Sequence, residues 1–209
     1  MAVSCYNHAL TPLLILLTAT TCITSTSAAR PVAGGPNSIE FIKTSCSATT
    51  YPRLCYTTLA THASIIQTSP LLLAHTALSV TLNNTRSTSG MMTKLSQSRG
   101  MSPRGVAALH DCMEELSDSV DELRKSLRAM SQLKGTNYDF GLTMNDIQTW
   151  VSAAMTNEDT CTEGFSESET AVAAVDSDLK SMVRGRVVKM AHLTSNALAL
   201  VNNLASSHG

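Results

Sequence analysis

Residues 103–133 read PRGVAALHDCMEELSDSVDELRKSLRAMSQL. Within them Val106, Leu109, Met113, Leu116, Val120, Leu123, Leu127 and Met130 recur at steps of 3, 4, 3, 4, 3, 4, 3. A strand would alternate apolar and polar at period two; this spacing instead gathers all eight side chains on one stripe of a helix. Ser102-Pro103 supplies its start, since proline at the first helical position gives up only an N–H that would lack a partner anyway. Gly135 and Asn137 supply its end. A one-sided helix of about eight turns must bury its stripe against something. An extended coiled-coil dimer would do so, but glycines at 90, 100, 135 and 141 favour a chain that folds back on itself.

The flanking segments carry similar patterns. Ser69-Pro70 repeats the start signal and opens a segment through Leu71, Leu78, Leu82 and Leu95, with a weak point or bend expected at Gly90. Thr143 is the expected N-cap of a helix whose apolar face holds Ile147, Trp150, Val151 and Ala154. The last helix is expected from about Thr170 to Leu204, striped by Val172, Val175, Leu179, Met182, Val183, Met190, Leu193, Ala197, Leu200 and Leu204, with Gly185 interrupting its good helix formers. Ahead of these, Ser38–Thr44 and a segment starting at Pro52 form two short helices. No run of Val, Ile and Tyr alternates between turn signals, and no proline follows Pro103. The expected fold is all-α: an antiparallel four-helix bundle over 69–209, with an N-terminal helical hairpin over 30–68 as an appendage.

Residues 1–29 hold no Asp, Glu, Lys or Arg, and their centre at 10–17 is apolar apart from Thr11 and Pro12. Small residues follow, up to Ala28-Ala29 before Arg30, which is the pattern of a secretory signal peptide. A secreted chain meets an oxidising compartment. Cys46, Cys55, Cys112 and Cys161 remain after the signal, so two disulfides are expected. Four cysteines allow three pairings; a local Cys46–Cys55 staple with a long-range Cys112–Cys161 bridge is the simplest. The sequon Asn83-Asn84-Thr85 makes Asn83 a glycosylation candidate.

Catalytic signatures are missing. Gly164-Phe-Ser166-Glu-Ser168 lacks the closing glycine of a nucleophile elbow, and no H-E-x-x-H, P-loop or G-x-G-x-x-G occurs. Without C-x-x-C pairs or histidines at ligand spacing, no zinc or other cofactor is expected. The neighbouring acids Glu114-Glu115 and Asp121-Glu122 point about 100° apart on a helix, which suits a solvated face rather than a catalytic pair. With 15% charged and 4% aromatic residues and a net charge of −1, neither a nucleic-acid surface nor a sugar-stacking platform is indicated. Charge is nonetheless blocked: Asp111–Glu122 holds six acids and no base, and Asp139–Asp178 nine acids and no base. Such blocks suit recognition of a basic partner.

Three stretches carry a family likeness: Thr50-Tyr51-Pro52-Arg-Leu-Cys55 with Cys46 before it, Ala107-Ala-Leu-His-Asp111-Cys112-Met-Glu114-Glu, and Thr149-Trp150-Val-Ser152-Ala153-Ala154 onward to Cys161 and Phe165. Together they resemble the plant invertase/pectin methylesterase inhibitor family over essentially the whole mature chain. The resemblance implies a four-helix bundle with an N-terminal hairpin, disulfides pairing the first cysteine with the second and the third with the fourth, and a secreted, plant cell-wall, non-catalytic protein. Invertase inhibitors of this family resemble one another in a Pro-Lys-Phe motif before the last helix; here that loop reads Glu163-Gly-Phe165-Ser-Glu-Ser-Glu169. The departure disfavours an invertase as target. The ending Asn196–Leu204 and the Gln67-Thr-Ser-Pro70 turn also look more like the methylesterase-inhibitor branch. Because the chain stops at Gly209, a free-standing inhibitor is expected rather than a pro-region fused to an enzyme. By resemblance the bundle lies across the cleft of a pectin methylesterase in a 1:1 complex. The expected contacts are exposed polar positions: Glu114, Ser117, Asp118, Asp121, Thr149, Ser152, Asn157 and Asp159.

Overall fold

The computed structural model describes residues 35–98, 101–133, 139–164 and 174–207, with the backbone alone over 174–179. The leader at 1–29 lies outside them, as do most of the loop that would carry an invertase motif, Gly135, Asn137 and the expected helix start at Thr170. The described elements are all helical. Two short helices, α1 (Pro36–Ser47) and α2 (Pro52–Leu59), are followed by a 3₁₀ turn at Ala60–His62 and the single-turn α3 (Ala63–Ile66). Four long helices follow: α4 (Pro70–Ser96), α5 (Pro103–Gln132), α6 (Phe140–Gly164) and α7 (Ala174–Ser206).

The Ser-Pro starts cap as expected. Ser69 Oγ accepts from Leu72 N at 3.3 Å and Ser102 Oγ from Gly105 N at 3.1 Å, each satisfying a donor in an otherwise unbonded first turn. α6 departs from expectation. Asp139, not Thr143, caps it, its Oδ1 accepting from Leu142 N at 3.1 Å. Starting there frees Thr143 to turn inward, where it is buried beside Met144. Neither Gly90 nor Gly185 ends its helix: α4 and α7 run through both.

Helix α5 packs on α4 and α6, and α7 packs on the same two, so the four helices form a ring in chain order with α4 diagonal to α6. Neighbours run antiparallel, because the late α4 residue Met92 and early α5 residues Leu109 and Cys112 share one cluster with Cys161 at the end of α6 and Val183 at the start of α7. The second cluster joins early α4, late α5, early α6 and late α7 to the hairpin residues Ile42, Cys46, Cys55, Leu59, Ala63 and Ile66. The hairpin is therefore part of the core and not an appendage. Cys46–Cys55 and Cys112–Cys161 are both bonded, with Cα atoms 5.5 and 4.5 Å apart.

The heptad stripe is shifted around α5. Leu109, Leu116, Leu123 and Met130 are buried as read, but Val106, Met113, Val120 and Leu127 are only half-buried. Cys112, Ser119 and Ser126 take the other buried line. Their small side chains let α6 approach closely. Ser119 Oγ lies 3.0 Å from Glu115 O and 3.1 Å from Ala154 O, so its proton is shared between its own helix and α6. A hydroxyl that bonds a carbonyl can be buried at little cost, which is why the stripe tolerates serine. In α7 the expected Met182 is 44% exposed, and Val187 fills the core instead. In α6, Trp150 is half-buried while Ile147, Val151 and Ala154 are fully buried.

Candidate functional site: the outward face of α5 and α6

Glu114, Ser117, Asp118 and Asp121 are all exposed. At spacings of three and four they line one ridge on the side of α5 turned away from the core. The ridge is not uniformly negative. Asp121 pairs with Arg124 and Glu122 with Lys125, the latter at 3.0 Å. Glu114 and Asp118 have no such partner among the described ion pairs, and with Asp111 they form its negative part.

The α6 candidates divide. Thr149 is exposed and Ser152 half-buried. Ser152 and Asp159, seven residues apart, stand on one line of the helix, whereas Asn157 and Asp159 point to nearly opposite sides. Asp159 opens into a cleft of ≈ 190 Å³ between α6 and α7, lined also by Met155, Tyr51 and His192. The eight residues thus do not share one face: four line the α5 ridge, Ser152 and Asp159 share a line of α6 with Thr149 exposed a turn earlier, and Asn157, half-buried and not exposed as expected, points away from that line. Asn83 is exposed on α4, diagonal to α6, while Thr85 of the same sequon is fully buried.

Two features escaped the sequence reading. Glu158, counted there among the acids of a charged block, is fully buried. Neither of its carboxyl oxygens has a hydrogen-bond partner, and the nearby hydroxyls of Thr194 and Thr85 donate to Met190 O (3.2 Å) and Thr81 O (3.0 Å). Burial pushes its pKa from 4.5 to about 8; the charge of Asp159 adds to the rise, and Thr194 and Thr85 oppose it. The carboxyl is therefore neutral in acid and near-neutral surroundings. Its place at a buried position, three residues before Cys161 and four after Ala154, is the periodic signal that could have found it. The second feature is a stack of the Tyr51 and His192 rings, centroids 3.6 Å apart and planes 19° apart, which floors the α6/α7 cleft beside the hairpin. No sequence pattern marks that pair, since 140 residues of chain separate its partners.

Among the described residues no group of three or more His, Cys, Asp or Glu side chains is placed to hold a metal ion. No described helix is long and apolar enough to cross a membrane.

Comparison with known proteins agrees with the fold. A family model described as plant invertase/pectin methylesterase inhibitor matches residues 40–200. The chain is 45% identical over 172 residues to the 21 kDa protein of Daucus carota, covering 81% of this chain and 86% of that one. It is 39% identical over 198 residues to pectinesterase inhibitor 11 of Arabidopsis thaliana, covering 93% and 95%. A crystal structure of a mutant form of a pectin methylesterase inhibitor from Arabidopsis superposes with a TM-score of 0.60 at 20% identity, over 77% of this chain and 95% of that one, a likeness of fold. With the bundle, the hairpin and both disulfides in place, the chain belongs to the plant invertase/pectin methylesterase inhibitor family.

Proposed function

We propose that the protein is a secreted inhibitor of pectin methylesterase that acts in the plant cell wall and limits pectin de-esterification there. It binds the enzyme 1:1 and covers the pectin-binding cleft, so its action is steric and no residue of its own performs chemistry. The observation that carries this reading is the near end-to-end match to a protein named a pectinesterase inhibitor. The α5 ridge of Glu114, Ser117 and Asp118, with Asp121 at its paired end, and the α6 positions Thr149, Ser152, Asn157 and Asp159 are the proposed contacts. Exposed acids there suit a basic enzyme surface, to which they would add association rate more than affinity. An invertase is disfavoured as target by the missing Pro-Lys-Phe motif. An acidic loop at Glu163–Glu169 would also meet the carboxylates of a glycosidase site with like charge.

Titration of the disulfide-intact protein against one purified methylesterase and one invertase tests the reading. The expected result is stoichiometric loss of methanol release and no loss of sucrose cleavage. Potent invertase inhibition, or release of methanol from pectin by the protein alone, would overturn it.

A further inference from the structure

The bundle segregates its charge. Helix α6 contains acids and no base, whereas α4 and residues 179–206 of α7 contain bases and no acid. α4 and α7 adjoin on the side of the ring opposite the α5–α6 pair, which carries most of the acids together with four bases on α5. Lys94 from α4 and Arg186 from α7 stand in one cleft of ≈ 240 Å³, together with Ser87, Thr88 and Met91. Lys189 is exposed one turn beyond Arg186. None of these three cations takes part in an ion pair with a described carboxylate. Cations on adjacent helices, with no acid on α4 and none on α7 after Asp178, strengthen one another's field instead of cancelling it.

We propose that this α4/α7 cleft is a docking site for a stretch of de-esterified polyuronate. Lys94 and Arg186 in the cleft and Lys189 one turn beyond it suit carboxylates carried on successive sugar rings. The hydroxyls of Ser87 and Thr88 suit ring hydroxyls, and the Met91 side chain gives an apolar strip for a ring face. A nucleic-acid duplex, with its dense phosphate charge, calls for a more basic surface than a chain of net charge −1 presents. The choice of a uronate rests on the methylesterase reading, since hydrolysis of a methyl ester leaves a carboxylate on the polymer. The opposite face stays free for the enzyme, so the polymer would hold the inhibitor where de-esterification has already occurred.

Calorimetric titration of the disulfide-intact protein, without enzyme, tests this with oligogalacturonate and with its fully methyl-esterified counterpart of equal length. The de-esterified oligomer is expected to bind and the ester to bind at least about fivefold more weakly, with the difference shrinking as salt rises. The double variant Lys94→Gln/Arg186→Gln should lose roughly fivefold or more in affinity. Arg124→Gln/Lys125→Gln, on α5, should keep it, and melting curves of both variants should match the parent. Equal binding of ester and acid, an unaffected Lys94/Arg186 variant, an equal loss in the α5 variant, or tighter binding to phosphatidylserine vesicles would each overturn the proposal. Enzyme inhibition is measured separately: inhibition without polymer binding sinks this proposal alone, and polymer binding without inhibition sinks the inhibitor reading alone.

Discussion

The side chain of Asn196 in α7 closes a two-point bond with the backbone of Tyr51 at the start of α2. Its Oδ1 accepts from Tyr51 N at 2.9 Å and its Nδ2 donates to Tyr51 O at 3.0 Å. Tyr51 precedes Pro52, and the first turn of α2 leaves backbone donors without helical partners. Asn196 thus does for the hairpin what a neighbouring strand would do for an edge, and the Tyr51–His192 stack lies directly beside it. Asn196→Ala should cost about 1–3 kcal/mol, because two bonds vanish and the partly buried Tyr51 N–H loses its partner, while Tyr51 O keeps the bond it accepts from Cys55 N at 3.0 Å. Urea unfolding checks the magnitude. Hydrogen exchange should accelerate across α1–α3 before α5 and α6, whereas Asn202→Ala, which removes only the exposed Gln148–Asn202 bond, should change little.

Glu158 gives the bundle a pH dependence whose sign is fixed. Its folded pKa, about 8, lies above its ordinary 4.5. Below 4.5 both folded and unfolded states hold the proton and the group contributes nothing to the slope. Between 4.5 and 8 the unfolded chain releases the proton and the folded one keeps it, so stability falls as pH rises, by about 1.4 kcal/mol per unit at most. Glu158→Gln removes this term. The variant and the parent should be close in stability near pH 4, and the variant should gain on the parent steadily toward pH 8. Parallel denaturation curves across that range would contradict the burial of a neutral carboxyl.

The two disulfides should differ in weight. Cys112–Cys161 closes a separation of 49 residues and Cys46–Cys55 one of 9. Chain entropy assigns them about 4 and about 3 kcal/mol respectively. Replacing the long-range pair by alanines should therefore lower the denaturation midpoint more than replacing the local pair. Equal or reversed losses would show that the enthalpy of the packed hairpin outweighs loop length.

Close approach of α5 and α6 depends on small side chains. Ser119→Ala should cost no more than about 1 kcal/mol, the worth of a shared hydrogen bond. Ser119→Leu satisfies the heptad pattern better on paper, yet it should destabilise by about 1–3 kcal/mol, because the added volume meets Ala154 across the interface. Thermal melts of the two variants separate the hydrogen-bond effect from overpacking.

Salt and charge neutralisation test the proposed enzyme face. Replacing Glu114 and Asp118 with Gln and Asn together should slow association with a methylesterase and flatten its salt dependence, with little change in dissociation. Asp121→Asn should matter less, since Arg124 already offsets that charge. An association rate indifferent to salt would reduce the ridge to solubilising surface.

Periodicity alone established that residues 103–133 are one helix, and Ser69-Pro70 and Ser102-Pro103 marked two starts that the hydroxyl caps confirm. These are local facts: a helix's period and its first-turn donors are properties of a few consecutive residues. The family likeness was legible too, because cysteine spacing and the Tyr51-Pro52 and Trp150–Ala154 blocks are linear patterns. What tertiary structure decided is which side of each helix is inside. An apolar stripe gives that direction only to within a neighbouring line of residues, and the approach of α6 turned α5 toward Cys112, Ser119 and Ser126 and away from Val106 and Met113. The same packing put Glu158 in the core, where its acidic neighbours in sequence had suggested solvent. It also joined Asn196 to Tyr51 and set Lys94 beside Arg186, pairs whose partners are 145 and 92 residues apart in sequence. Side-chain charge is written in the sequence; whether it is desolvated, paired or facing a partner depends on which helices the fold sets side by side.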